Sequence, residues 1–171
     1  MYPAICYDTL LDILSRQCEA YATLTGSEAY PDISGTVEFY PLWGGTLVAA
    51  VVSGLPDPGR AACGNRFHGF HIHEGGSCAE ADDSGTAFPL TGNHYDPRGC
   101  EHPAHSGDLA PLISGSGYAF QICYTDAFVP EEILGRTVVI HSMSDDFTSQ
   151  PSGNSGTKLA CGEIKSVWEE N

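Results

Sequence analysis

One histidine-rich segment, residues 67–74, constrains this chain more than any other part of its sequence. The segment mixes imidazoles with aromatic and β-branched residues, which predicts a strand. Successive side chains of a strand point to opposite faces, so His71 and His73 lie side by side on one face. His68 shares the opposite face with Phe70 and Ile72. Two neighbouring imidazoles on one strand face are the start of a metal site.

The rest of the chain predicts one all-β domain with a helical extension. Hydrophobic residues make up 42% and charged residues 17%, as in globular proteins, and 20 glycines with 11 prolines favour short strands joined by turns. Residues 1–19 predict a short helix, with Asp8 as its cap, that either packs over an open end or edge of the sheet or contacts another subunit. Residues 20–171 form the β domain, and its strands are predicted at 21–25, 33–40, 46–52, 67–74, 118–124, 137–141 and 158–167.

Charge and composition exclude several classes of partner. The net charge of −15 argues against binding to nucleic acid or to an anionic membrane. No stretch approaches the roughly 20 apolar residues of a membrane span. The N-terminal residues lack a secretory signature, so a cytoplasmic location is expected. Seven cysteines are an odd number, which excludes a fully disulfide-linked scaffold.

A long polar segment, residues 74–108, has almost no strand signal but is rich in glycine, histidine and acidic residues. A loop of this length inside a compact domain needs a physical reason, and metal binding is one. Three histidines and one aspartate lie within fifteen positions of each other, a donor set that suits tetrahedral zinc: His94, His102, His105 and Asp108.

Three segments, at residues 68–74, 135–141 and 159–162, resemble signature segments of the copper-zinc superoxide dismutases, and the resemblance extends in order over residues 20–165. It implies a Greek-key β-barrel, or flattened sandwich, of about eight strands with long metal-binding loops. It further implies an enzyme that converts superoxide to oxygen and hydrogen peroxide with copper and zinc as cofactors. The sequence leaves the oligomeric state open, with a homodimer as one option.

The resemblance also implies a ligand set. Copper would be held by four imidazoles, those of His71, His73, His94 and His141. Zinc would be held by His94, His102, His105 and Asp108. His94 is shared, and an imidazole binds two metals only after losing both ring protons. Asp145 would accept hydrogen bonds from His71 and His102 and so orient both rings.

Other residues are expected to have structural roles, and the resemblance implies those of Cys78, Cys161 and Arg136. Cys78 and Cys161 would form a disulfide between the metal-binding loop and the last strand, and the other five cysteines would be buried thiols. His68 is expected in the core because its strand parity points it away from His71. Arg136 occupies the position of a structural arginine.

Three departures from the family pattern affect the expected activity. His102 and His105 are only three residues apart, and the loop after His141 is short. Lys158 stands where the family usually has an arginine beside copper, so a catalytic anion-attracting charge is kept while the rigid guanidinium fork is lost. Slower dismutation with weaker anion inhibition is therefore expected. A non-catalytic copper- and zinc-binding protein and a copper-only dismutase remain alternatives, whereas a zinc hydrolase would need a coordination position for water.

Overall fold

The computed structural model describes residues 7–59, 63–80 and 85–168 of the chain. Within these residues the chain forms one α-helix, nine strands and two short 3₁₀ turns. The helix is α1 (Tyr7–Leu14), and the 3₁₀ turns are Pro89–Thr91 and Pro130–Ile133. The strands are β1 (Ala20–Gly26), β2 (Ser34–Leu42), β3 (Gly45–Ser53), β4 (Phe67–His68), β5 (Phe70–His73), β6 (Leu112–Gly115), β7 (Tyr118–Thr125), β8 (Thr137–His141) and β9 (Lys158–Ser166).

The strands form one antiparallel sheet that closes on itself. Its order is β4-β6-β7-β3-β2-β1-β9-β8-β5, so β4 and β5 stand at opposite ends of the series. These two strands are separated in the chain only by Gly69, and the two ends of the sheet therefore meet there. The all-β prediction is confirmed as a Greek-key barrel. It has nine strands instead of about eight, because Gly69 divides the histidine strand in two and β6, which was not predicted, adds another.

The barrel interior is filled by one face of each strand. Alternation along β5 places Phe70 and Ile72 in the core, where both are fully buried. Phe39 of β2 and Ile140 of β8 pack in the same cluster. Burying side chains of this size contributes about 1.5–3 kcal/mol each, which fixes the register of the histidine strand against its neighbours.

Helix α1 covers part of the outer face of the sheet. It includes Asp8, so the prediction that Asp8 caps the helix is wrong, and residues 1–6 lie outside the described part of the chain. Its Ile13 packs against Tyr40, Leu47 and Ala49 of β2 and β3. None of the helices among the described residues is long and apolar enough to cross a membrane.

A disulfide joins Cys78, in the loop after β5, to Cys161 in β9, with a Cα–Cα distance of 5.7 Å. The predicted bridge is thereby confirmed. It closes a loop of 83 residues in sequence, and by chain entropy a loop of that length stabilises the fold by about 4–5 kcal/mol.

The prediction of buried free thiols is wrong for several cysteines. Cys63 is exposed, and Cys18, Cys100 and Cys123 are only partly buried. Cys6 lies outside the described residues.

Candidate metal centre

Four imidazoles converge at one side of the barrel. His71 and His73 project from β5, opposite to the core residues of that strand, and β8 ends at His141. His94 comes from the long polar loop, which a backbone bridge attaches to His73. One ring nitrogen of each residue can be chosen so that all four lie within 4.8 Å of one another. The structure thus brings together the four residues predicted to hold copper, with donors of the type that copper prefers.

A second cluster adjoins the first and shares His94 with it. The ring centroids of His94, His102 and His105 lie 5.5–5.7 Å apart in a nearly equilateral triangle. Asp108 approaches all three rings: its carboxylate oxygens lie 2.7 Å from Nδ1 of His94, 3.0 Å from Nδ1 of His102 and 3.3 Å from Nδ1 of His105. The three-residue spacing between His102 and His105 therefore does not prevent their rings from facing one point. Three imidazoles and a carboxylate suit tetrahedral zinc.

The buried ring nitrogens of these clusters fit bound metal ions. Several of them have no hydrogen-bond partner among the described residues, although buried polar atoms normally have one. They are Nδ1 of His71, Nε2 of His94, Nδ1 of His102, Nδ1 of His105 and Nδ1 of His141. His94 offers Nδ1 on the Asp108 side and leaves Nε2 free on the other side. Ring nitrogens that face one another without hydrogen-bond donors can use their lone pairs to coordinate a cation.

Asp145 contacts one histidine of each cluster. Its Oδ2 lies 2.8 Å from Nε2 of His71, and its Oδ1 lies 2.9 Å from Nε2 of His102. Burial raises the pKa of Asp145, but hydrogen bonds from His71, the Phe147 amide and His102 outweigh that effect and lower the pKa to about 2. The ionised carboxylate accepts the Nε2–H of both rings, which leaves the Nδ1 atom of each ring for a metal.

Two further contacts orient histidines of the copper cluster. Nδ1 of His73 lies 3.0 Å from the carbonyl oxygen of Gly92, which leaves Nε2 for a metal. His68 lies in the core, where its ring nitrogens contact the carbonyl oxygen of His141 and the hydroxyl of Ser114, each at 3.1 Å. His68 thus fixes the backbone of His141 from inside the barrel.

Arg136 fastens the loop that carries these residues. Its guanidinium lies 3.9 Å from the centre of the Tyr95 ring, and Nη1 donates to the carbonyl oxygen of Glu74 at 3.2 Å. Tyr95 follows His94, and Glu74 follows His73. One arginine therefore ties together two of the three segments that carry the first cluster, in keeping with the structural role predicted for it.

A cavity of about 450 Å³ opens onto the copper cluster. Its wall includes His73, His94 and His141, together with Glu74, Asp96 and Lys158 as charged residues. Among the described residues that line this cavity, Lys158 is the sole lysine or arginine. Burial lowers the pKa of Lys158, so its ammonium lies in a partly desolvated setting where charge acts over a longer range than in water.

Sequence reasoning missed the residues that hold Lys158 in place. The ammonium donates to Oγ1 of Thr91 at 2.7 Å and to the carbonyl oxygen of Phe88 at 3.2 Å. Thr91 is fully buried, and its hydroxyl donates to the same Phe88 carbonyl at 2.9 Å. The expected loss of fixed geometry at this position is therefore offset by two acceptors, one from Thr91 in the 3₁₀ turn and one from Phe88 immediately before it.

We expect the metal-free protein to lose stability as the pH falls below about 6.5. Burial is the largest cause that lowers the pKa values of His68, His71, His73 and His141, in the last case to about 3. Below pH 6.5 the histidines of the unfolded chain bind protons, while those of the folded chain stay neutral. The free energy of unfolding is therefore highest above pH 6.5 and decreases as the pH falls towards the pKa values of the folded state. The loss is on the order of 1.4 kcal/mol per pH unit for each group.

Urea unfolding of the metal-free protein between pH 7.5 and 5 measures this effect. A free energy of unfolding that stays constant over that range would contradict the buried, neutral state of these histidines.

Comparison with known proteins agrees with this geometry. Residues 33–164 match the sequence profile of the family described as copper/zinc superoxide dismutase (SODC). The protein named Superoxide dismutase [Cu-Zn] from Deinococcus radiodurans is 32% identical over 152 residues, which cover 79% of this chain and 79% of that protein. The residues matched to the family profile include both histidine clusters. The chain belongs to the copper/zinc superoxide dismutase family.

Proposed function

We propose that this protein converts superoxide to oxygen and hydrogen peroxide at a copper site that is joined to a zinc site through His94. The observation that carries the proposal is the pair of four-residue clusters that share His94. The substrate is the superoxide anion, and two superoxides with two protons give one oxygen and one hydrogen peroxide. The cytoplasmic location stays a prediction from the sequence.

Each group of residues has a separate role in the proposed catalytic cycle. Copper held by His71, His73, His94 and His141 would supply the one-electron chemistry, and zinc held by His94, His102, His105 and Asp108 would order the loop. His94 holds a proton at Nε2 in one half of the cycle and gives it to the second superoxide in the other half. Lys158 attracts the anion to the cavity and orients it beside the copper cluster.

Metal analysis combined with an activity assay tests the proposal. The protein is loaded with both metals, with copper alone and with zinc alone, and each form is assayed for dismutation. The proposal requires activity in the form that holds both metals and a spectroscopic signature of two metals bridged by one imidazole. Full copper and zinc occupancy without activity would favour the non-catalytic binding role. Full activity with copper alone, and no binding of zinc, would identify a copper-only dismutase.

Removal of the Thr91 hydroxyl is expected to slow the reaction three- to tenfold. The variant Thr91→Val keeps the shape of the side chain but removes an acceptor 2.7 Å from the Lys158 ammonium, and a hydrogen bond to a charged group contributes about 1.5–3 kcal/mol. Only part of this loss reaches the transition state, because the Phe88 carbonyl still accepts from the ammonium.

Kinetics and NMR of the Lys158 ammonium measure the effect, with Thr91→Ser as the control that keeps the hydroxyl. An unchanged ammonium signal and an unchanged rate in Thr91→Val would show that the turn does not hold Lys158.

A further inference from the structure

The exposed residue Gln150 joins the loop after β8 to the loop that carries the second cluster. Its Oε1 accepts the main-chain N–H of His102 at 3.0 Å, and its Nε2 donates to the main-chain carbonyl oxygen of His102 at 2.6 Å. One amide therefore pairs with both polar groups of one residue, as a neighbouring strand does in an antiparallel sheet. The two residues are 48 positions apart in sequence, so these bonds attach one loop to the other. This pair of hydrogen bonds is called the Gln150 clamp.

The loop after β8 holds His102 at both its ring and its main chain. The side chain is buried, and its Nε2 lies 2.9 Å from Oδ1 of Asp145. The main chain lies in a turn that the N–H of Ala104 closes by donating to the carbonyl oxygen of Glu101 at 2.8 Å. In such a turn the main-chain polar groups of the second residue point outwards, and here they meet Gln150. The position of the His102 ring is thus set from outside its own loop.

The segment that presents Gln150 is closed on itself. The N–H of Asp146 donates to the carbonyl oxygen of Gly153 at 2.9 Å, which closes the loop around Gln150. Gly153 has a φ of +65°, and a Cβ at this position would collide with Oδ1 of Asp145 and with Nε2 of His102. Glycine therefore allows the loop to approach this contact closely. The clamp is presented by an ordered backbone that already contacts the ring of the same histidine.

The donor types of the second cluster do not by themselves select zinc. Imidazole and carboxylate ligands bind copper(II) more tightly than zinc in the divalent series, so selectivity has to come from geometry. Zinc accepts a tetrahedral set of ligands, whereas copper(II) prefers a square or tetragonal one. The ring centroids of His94, His102 and His105 form a nearly equilateral triangle, which fits one face of a tetrahedron and not the corners of a square. Zinc is thus favoured only while this triangle is maintained.

His102 is the corner of this triangle that depends on the clamp. A backbone bridge attaches His94 to β5, and the N–H of His105 donates to Oδ2 of Asp108 at 3.0 Å. The other two rings are therefore positioned by contacts that do not involve Gln150. Loss of the clamp would release the main chain of one zinc ligand and leave the anchors of the others in place.

We propose that Gln150 is a positioning residue that gives the second cluster its preference for zinc over copper(II). The clamp keeps the His102 ring at one corner of a tetrahedron, and without the clamp the ring can move towards the plane that copper(II) prefers. The proposal rests on the assignment of zinc to this cluster. It adds a residue outside the ligand set, which acts through the main chain of a ligand.

The ratio of zinc affinity to copper(II) affinity in the second cluster tests the proposal. The whole protein, with copper in its first cluster, is equilibrated with zinc(II) or copper(II) against a chelator of known affinity for each metal. Gln150→Met keeps the length of the side chain but removes both hydrogen bonds, and we expect the ratio to fall about tenfold. Cobalt(II) in the second cluster, whose strong visible absorption reports tetrahedral geometry, should absorb more weakly at full occupancy in this variant.

Gln150→Glu separates hydrogen bonding from packing, because glutamate has the same shape as glutamine. This variant keeps an acceptor for the His102 N–H but sets an anionic oxygen against the His102 carbonyl oxygen. Its affinity ratio should therefore fall at least as far as that of Gln150→Met. The added charge attracts both divalent metals equally and by itself leaves the ratio unaltered.

Ser149→Ala is the matched control, because it removes a hydrogen bond to Asp146 within the same loop and leaves the clamp intact. It should keep the affinity ratio and the cobalt spectrum of the unaltered protein. An unchanged ratio in both Gln150 variants, or an equal fall in Ser149→Ala, would overturn the role of Gln150 and leave the zinc assignment in place. An unaltered protein whose second cluster does not bind zinc would overturn the zinc assignment and this proposal together.

Discussion

Replacement of Lys158 by methionine is expected to lower kcat/KM for superoxide at least tenfold at low ionic strength and to invert its dependence on salt. Lys158 is the sole lysine or arginine among the described residues of the cavity wall, in a chain with a net charge of −15. In the proposed mechanism the local attraction governs the approach of the anion, so salt is expected to slow the reaction of the unaltered protein by screening that attraction. Without Lys158, repulsion by the net charge of −15 should outweigh the attraction of the metal ions that remain in the site, and salt should accelerate the reaction.

The matched control is Lys165→Met, which changes the net charge by the same amount on an exposed part of β9 outside the cavity. It should change the rate little and keep the salt dependence of the unaltered protein. Lys158→Arg should keep the sign of the salt effect and bind inhibitory anions more tightly, because the guanidinium offers a rigid pair of donors. A Lys158→Met variant with unaltered kinetics would show that this lysine does not attract the substrate.

The histidine strand shows which parts of the site follow from sequence. A period of two separates His71 and His73 from Phe70 and Ile72, and burial of the second pair forces the first pair outward. The donor types of the second cluster predict zinc chemistry in the same way. These conclusions needed only local geometry and the chemistry of the side chains.

The Thr91 contact could not be predicted in this way. Thr91 is 67 residues from Lys158 in sequence and lies in a 3₁₀ turn that no hydrophobic period marks. Strand β6 was missed for a related reason, since its sequence Leu-Ile-Ser-Gly is short and ends in residues that favour turns.

Replacement of Asp145 by alanine is expected to weaken zinc binding tenfold to a hundredfold and to lower dismutase activity as a consequence. The carboxylate contacts Nε2 of His71 at 2.8 Å and Nε2 of His102 at 2.9 Å, so its removal frees both rings to rotate. Loss of a group that orients a metal-binding histidine typically weakens affinity by this factor. Three oriented ligands remain on each side, and zinc should be lost first because copper binds a given set of imidazole donors more tightly than zinc does.

Asp146→Ala is the control for this variant, because Asp146 is also an acidic residue of the loop after β8. Its carboxylate contacts Thr148 and Ser149 of the same loop, and no contact with the histidines is present among the described residues. Competition with a chelator of known affinity gives the zinc affinity of each variant. Equal zinc affinity in Asp145→Ala and the unaltered protein would contradict the orienting role, whereas a selective loss in Asp145→Ala would show that one buried carboxylate couples the two clusters.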